Sequence, residues 1–454
     1  MASNLSLNKK WVGETAISEP RKFKAFTERN FDQISQLGGL SEEAKFEMKV
    51  VASVLPFRVN AYVLDELIDW SNIPNDPIFQ LTFPQRGMLP DAAFSKMADC
   101  LRADPTAAEQ RQVANEIRMT LNPHPAHQQT LNVPELDGQS LEGIQHKYRE
   151  TVLFFPSQGQ VCHAYCTFCF RWAQFVGDKT LRFASAEMGS LKEYLIKHPD
   201  VSDVLITGGD PMVMKTANFA TYIDGLLAPE LAHIQTIRIG TKAVSYWPQR
   251  FVSDPDADDL LRTIERAVAA GKQVALMLHL NHWQELMTPM AEQAIARLRE
   301  TGAILRAQAP VLRHINDKAA DWAKMWTKEV ALGVYPYYMF VERDTGAKAY
   351  FELPLVEAWD IYRDAMKQVS GLARTARGPS MSAGPGKVEV QGVTEIHGEK
   401  VFALRFIQGR NPEWVQKPFF AKYDAKATWL DGLQPAFADK FFFEDEYQQM
   451  LSTA

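Results

Sequence analysis

Three of the four cysteines in this chain fall within eight positions, as Cys162, Cys166 and Cys169 of VCHAYCTFC. A disulfide framework spreads its cysteines to close loops, so this clustering points to a metal instead. Three thiolates spaced C-x3-C-x2-C on one loop can each hold one iron of a [4Fe-4S] cubane and leave the fourth iron open. An open iron suits a chelating ligand. S-adenosylmethionine can bind there through its amino and carboxylate groups, and the reduced cluster can then cleave its C–S bond. A zinc site is the alternative, but structural zinc takes four protein ligands. His163, adjacent to Cys162, is badly placed to close that tetrahedron. Phe168, just before the third cysteine, fits an adenine contact. The second chemical element is TGGDP, residues 207–211. Gly208 and Gly209 let backbone carbonyls approach a ligand there, and Asp210 can accept from an ammonium group. Cys100, in MADCLRAD, reads as an ordinary helix residue.

Both motifs need a scaffold that brings chain ends together. From about residue 150, short apolar runs alternate with amphipathic stretches. The runs are TVLFFP (151–156), DVLITGG (203–209), TIRIGT (236–241), QVALMLHL (273–280), AILRAQAPVL (303–312) and VYPYYMFV (334–341). ADDLLRTIERAVAAG and TPMAEQAIARLRETG lie between them and end in glycine, as helices do. Six near-continuous apolar strands separated by helices predict parallel βα units. The fold class is therefore α/β, a partial (β/α)6 barrel, with chemistry at the C-terminal strand ends. Residues 146–375 form the barrel. Residues 1–145 read as a mainly helical region, with apolar recurrences such as Phe46, Val50, Val51 and Val54, broken by loops at 72–77 and 121–127. Residues 376–454 form a C-terminal extension. In it GPSMSAGPGKVEV reads as a glycine-rich turn leading into the strand or hairpin VFALRF, and ADKFFFEDEYQQMLSTA as a short helix or an arm against another subunit.

A composition of 46% hydrophobic and 23% charged residues is that of a soluble globular chain. The net charge of −6 offers no field to recruit nucleic acid or an anionic membrane. The start MASNLSLNKKWVGE lacks the apolar segment of a secretory signal, and no run reaches the roughly 18 apolar residues of a membrane span. A cytoplasmic protein is expected.

With these residues in place, the chain resembles the lysine 2,3-aminomutase family of radical S-adenosylmethionine enzymes that also carry pyridoxal phosphate. The resemblance runs from about Asp65 to Lys387. It takes in NDP (75–77), H-x-Y (146–148), the cysteine loop, DVLITGGD, RIG (238–240), PQR (248–250), HLNH (279–282), Gln308 and PYY (336–338). It implies an aminomutase that converts an α-amino acid to a β-amino acid, using the cluster, S-adenosylmethionine and pyridoxal 5′-phosphate. By position, His279 and Gln308 correspond to contacts with the methionine carboxylate and ribose of S-adenosylmethionine. Tyr337 and Tyr338 would flank the adenosyl group, and Arg171 would take the substrate α-carboxylate. Lys387, after Gly384-Pro385-Gly386, stands where the family has its Schiff-base lysine.

Three departures carry information. The family's phosphate-anchoring arginine is Thr151 here, which leaves Lys147, Arg149 or Lys242 to supply that countercharge. The two aspartates that hold the ε-ammonium of lysine become Arg343 and Ser380. A cation and a hydroxyl there would leave an ammonium repelled and unpaired, so glutamate or aspartate is expected in place of lysine. The C-terminal zinc-binding cysteines of some members are absent, so no structural zinc is expected. The resemblance also implies an electron donor such as flavodoxin or ferredoxin, and a homo-oligomer. Two alternatives stand: the same cofactors used for decarboxylation or dehydrogenation, and a non-catalytic iron–sulfur or redox-sensing protein.

Overall fold

The six apolar runs become six parallel strands of one sheet in the computed structural model, which describes residues 21–178, 181, 183–185 and 187–452. An antiparallel edge strand, β1 (Ile144–Tyr148), leads into the parallel set: β2 (Thr151–Phe154), β3 (Asp203–Ile206), β4 (Thr236–Thr241), β5 (Gln273–His279), β6 (Ile304–Val311) and β7 (Tyr335–Val341). Each lies beside its predecessor, the order that βα units with short connections produce.

The helices between them end where their sequences say. Thr288 caps helix Pro289–Glu300 by accepting from the Ala291 N–H, and proline stands at its first turn. The glycines closing two helix segments, Gly271 and Gly302, have φ of +88° and +82°, the left-handed conformation a C-terminal stop requires. Leu260, Leu261, Ile264 and Ala267 form the buried stripe of helix Ala257–Ala269. They pack with strand residues such as Ile237, Ile239, Leu276 and Leu278 in one core. Strand alternation then decides the site. In β4 Ile237 and Ile239 are buried in the core, while Arg238 and Gly240 turn to the other face and line a cavity that Thr241, at the strand's end, also reaches.

The N-terminal part holds helices Glu42–Val54, Asp91–Arg102 and Ala107–Thr120, and also two short two-stranded ribbons. Its core includes Val50, Val51 and Val54, with Phe46 partly buried against it. That core also takes in Ala164, Phe168 and Trp172 of the cysteine loop. Cys100 sits within helix Asp91–Arg102.

The C-terminal part differs from the expected turn. Arg377–Ser382 is itself a strand, β8, parallel to β7. It is followed by β9 (Gly386–Ile396), β10 (Glu399–Gly409) and β11 (Pro418–Lys422), all antiparallel, so the sheet reaches eleven strands. The glycine-rich turn shrinks to residues 383–385. Met381, Val388, Phe402, Leu404 and Phe406 give these strands a core of their own. The expected hairpin and short helix are both present, the helix as Glu444–Ser452. Among the described residues no helix is long and apolar enough to cross a membrane.

Candidate active site

The cysteine loop is built by contacts from both of its flanks. On the N-terminal side, the Tyr165 and Thr167 N–H groups donate to Arg58 O and Leu81 O at 2.8 and 2.9 Å. Asn60, fully buried, donates to His163 O and Tyr246 O at 3.2 and 2.9 Å. On the barrel side the loop lies on the GGD turn, where the Asp210 N–H donates to Gly159 O and Val161 O at 3.0 and 2.9 Å. A Cβ on Gly209 would lie 2.5 Å from Val161 N, so only glycine permits this approach.

Cys162, Cys166 and Cys169 all line a cavity of about 330 Å³. Burial pushes Cys166 up to about 11 and Cys169 to about 12, and Cys162 is also raised, so each is a thiol in the metal-free chain, and a bound metal would favour the thiolate. Among the described residues, no three His, Cys, Asp or Glu side chains converge as ligands of a single ion. Three thiols around a shared space suit a cubane, in which each thiolate takes a different iron. The Tyr246 hydroxyl lies 3.3 Å from Cys166 Sγ, a contact the sequence reading did not anticipate. His163 does not line this cavity; it faces a second one.

Asp210 turns out to be occupied by its own chain. Its carboxylate accepts from Thr241 Oγ1 at 2.7 and 2.9 Å, Lys242 N at 2.9 Å and Met212 N at 2.9 Å. Burial still outweighs these bonds and pushes its pKa up to about 6. It ties the end of β3 to the end of β4, and it lines the cavity with Gly208 and Gly209 while these four contacts already engage its oxygens. The neighbouring cavity wall is glycine backbone at Gly208 and Gly209.

His279, Gln308 and Tyr338 form a row. Gln308 is in register with His279 of β5 on one side and with Tyr338 of β7 on the other, and all three line the cavity. Burial lowers the His279 pKa to about 4, which keeps the ring neutral. Phe168 stacks near it at 6.1 Å. Tyr337 lines the same wall.

Lys387 enters from β9 and places its Nζ 4.0 Å from the centre of the Tyr338 ring. Burial, then the neighbouring Arg238, Arg377 and Arg343, lower its pKa to about 7. Lys147 donates to Ala383 O in the turn just before Lys387. Its charged neighbours are Arg410, Arg343 and Lys387, all cations, and burial drives its pKa well down. The other two expected phosphate partners are engaged elsewhere. Lys242 donates to His279 O at 3.0 Å and Asn281 Oδ1 at 2.9 Å and forms a buried ion pair with Glu285. Arg149 is exposed and pairs with Glu150 at 3.0 Å. Thr151 donates to Asp203 Oδ2 at 3.0 Å, and the same carboxylate receives Arg238. Arg238 and Arg377 were missed as site cations; the RIG motif was the available signal for Arg238.

Arg171 and Arg343 both line the cavity, and each guanidinium carbon lies 5.1 Å from the Phe170 ring centre. Arg343 Nε is buried without a hydrogen-bond partner. Glu342 also lines the cavity, where burial raises its pKa and the neighbouring Arg343 works against that rise. Asp344 turns away and accepts from Asn122 Nδ2 at 3.2 Å. Ser380 is not in the cavity wall. It is fully buried between β7 and β9, opposite Phe340 and Glu389, and Ser382, in register with Lys387, lines the cavity instead.

No family model matches this chain. It is 30% identical over 392 residues to a protein of Aquifex aeolicus that carries the L-lysine 2,3-aminomutase name provisionally, covering 86% of this chain and 91% of that one. It is 29% identical over 233 residues to the L-lysine 2,3-aminomutase of Escherichia coli, covering 50% of this chain and 63% of that one. Among solved structures, Streptococcus suis SuiB bound to S-adenosylmethionine matches with a TM-score of 0.35 and 14% identity, over 60% of this chain and 58% of that one.

Proposed function

Because the chain belongs to the lysine 2,3-aminomutase family of radical S-adenosylmethionine isomerases, we propose that it moves the amino group of an acidic α-amino acid from Cα to Cβ. The observation that carries this reading is one cavity lined by the three cysteines, by Lys387 with its lowered pKa, and by the Arg171–Phe170–Arg343 group. A flat sheet would set β2 and β7 roughly 24 Å apart, at about 4.8 Å per strand. Leu153 of β2 and Val341 of β7 line the same cavity, which supports a sheet curled into a partial (β/α)6 barrel.

The donors fit the implied groups. When bound, the cluster and S-adenosylmethionine would supply radical initiation, and pyridoxal phosphate would supply an electron sink for the amino group. The chain's own residues position the reactants. The cysteines would hold iron, and backbone at Gly208 and Gly209 would receive the methionine end of S-adenosylmethionine. Neutral His279, with Gln308, Tyr338 and Phe168, orients its carboxylate, ribose and adenine. Lys387, about half neutral near pH 7, is the amine that takes the pyridoxal group. Lys147, whose charged neighbours Arg410, Arg343 and Lys387 are cations, would answer the phosphate. Arg171 receives the substrate α-carboxylate, and Arg343 faces the distal carboxylate, where charge-assisted hydrogen bonds favour an acid. Lysine would bring an ammonium toward the Arg343 guanidinium, a like-charge contact. An outside one-electron donor, a homo-oligomeric assembly and a cytoplasmic setting complete the reading.

The test is anaerobic incubation of reconstituted enzyme with dithionite, S-adenosylmethionine and single amino acids, followed by mass spectrometry. Glutamate or aspartate should yield its β-isomer together with deoxyadenosine. A decarboxylated or dehydrogenated product would replace the aminomutase outcome, and lysine converting better than either acid would overturn the role of Arg343.

A further inference from the structure

A second cavity, of about 310 Å³, meets the first at Cys162. Its wall includes Phe23, Arg58, His163, Lys215 and Trp247. Phe23 is 40% exposed, and its ring makes edge contacts with Trp247 at 4.9 Å and His163 at 5.6 Å. His163 is 7% exposed, and its Nδ1 has no hydrogen-bond partner.

The charge at this mouth is one-sided. Of the two acids in the wall, Asp256 pairs with Arg250 at 2.6 Å, and the Asp254 carboxylate accepts from the neutral Trp247 Nε1 at 3.1 Å, which leaves one carboxylate against the free cations around it. Lys215 is exposed, and exposed Lys22 and Lys24 flank Phe23 in the chain. Arg58 lies over the Phe23 ring at 5.7 Å. None of these four cations has an acidic partner among the described residues. They stand on a chain whose net charge is −6, so the patch is local and runs against the overall charge.

We propose that this groove docks an acidic one-electron carrier protein of the flavodoxin or ferredoxin class. The inference rests on the radical reading of the cysteine loop. The carrier loses one electron and the cluster gains it, passing from the 2+ to the 1+ state with no proton drawn from this chain. Unmatched cations around an exposed aromatic give steering and an anchor for an acidic surface. Because the groove meets the substrate cavity at Cys162 and is lined otherwise by different residues, the carrier and the substrate can be bound together.

The experiment uses full-length reconstituted enzyme, purified flavodoxin as carrier, and Lys24→Glu with Lys215→Glu, two exposed residues outside the substrate cavity. Deoxyadenosine formation at limiting reduced flavodoxin should show an apparent KM raised about tenfold or more, and the wild-type KM should rise with salt. The rate with dithionite should be unchanged. Hydrogen exchange should show flavodoxin protecting residues 23–27 and 211–216 of the wild type. An unchanged KM in the double variant, protection elsewhere, or equal protection by inorganic phosphate alone would each overturn the assignment. If the double variant loses the dithionite rate as well, Lys24→Gln with Lys215→Gln repeats the comparison and the protection pattern decides. A wild type that makes no deoxyadenosine with either reductant tells against the radical reading and not the docking site, which the exchange map judges separately.

Discussion

Replacing Gly209 by alanine probes how the cysteine loop is held. The added Cβ would lie 2.5 Å from Val161 N, 2.7 Å from its O and 2.8 Å from its C. These are backbone atoms immediately before Cys162, so no side-chain rotation relieves the contact. Overpacking of this kind costs about 1–3 kcal/mol. The two bonds from the Asp210 N–H, to Gly159 O and Val161 O, would lengthen as the loop backs away, at a further cost of ~0.5–1.5 kcal/mol each. The penalty is therefore about 2–6 kcal/mol, concentrated at one cluster ligand. Moving the loop is the cheaper response, and Cys162 would move with it. Gly209→Ala should reconstitute with less iron, and its affinity for S-adenosylmethionine should fall by at least about tenfold, a shift of ~1.4 kcal/mol. Gly240→Ala is the control, because the nearest atom to its Cβ would be Thr207 Oγ1 at 3.3 Å, a side-chain atom able to yield, with Thr207 Cβ and Ile206 O at ordinary contact distances of 3.7 and 3.9 Å. Iron content and cofactor affinity are read by iron assay and equilibrium binding. A Gly209→Ala protein with full iron and wild-type affinity would refute the argument that this close approach sets the loop.

Lys387 is neutral above about pH 7 instead of its ordinary 10.5, because burial and three arginines disfavour its charged form. Formation of the borohydride-fixed pyridoxal phosphate adduct should therefore rise as pH passes through about 7 and level off above it; a rise only near pH 10 would contradict this, and Lys387→Ala should give no adduct. Arg343→Ala should weaken an acidic substrate by ~1.5–3 kcal/mol, roughly ten- to a hundredfold in KM, while leaving lysine little changed. Equal losses for both substrates would remove its distal role. Tyr246→Phe deletes the hydroxyl 3.3 Å from Cys166 Sγ, and should lower the cluster reduction potential by about 20–60 mV at unchanged iron content, as read by a redox titration followed by electron paramagnetic resonance. An unchanged potential would mean that this hydroxyl does not donate to the thiolate.

What the sequence determined by itself was local and periodic. Cys162, Cys166 and Cys169 needed only their spacing to suggest a cluster with an open iron. Six apolar runs and the glycines at 271 and 302 predicted six βα units, because strand burial and helix termination are decided within a few neighbouring residues. Lys387 was found by its place in the resemblance, and the structure puts it in the wall of the cavity that the three cysteines line. What only the tertiary structure decided was which side chains share space and which charges are already matched. Lys242 carries a cation in the right stretch of sequence, but Glu285, forty-three residues on, takes it up. Asp210 is a carboxylate beside a glycine pair, yet Thr241 and the backbone of Lys242 occupy it from the next strand. Ser380 and Ser382 are two residues apart, and only the register of β8 against β7 and β9 decides that the second reaches the cavity. The physical reason is the same in each case: pairing, burial and register depend on strands brought together from distant sequence, and spacing along one chain carries no record of what lies across the sheet.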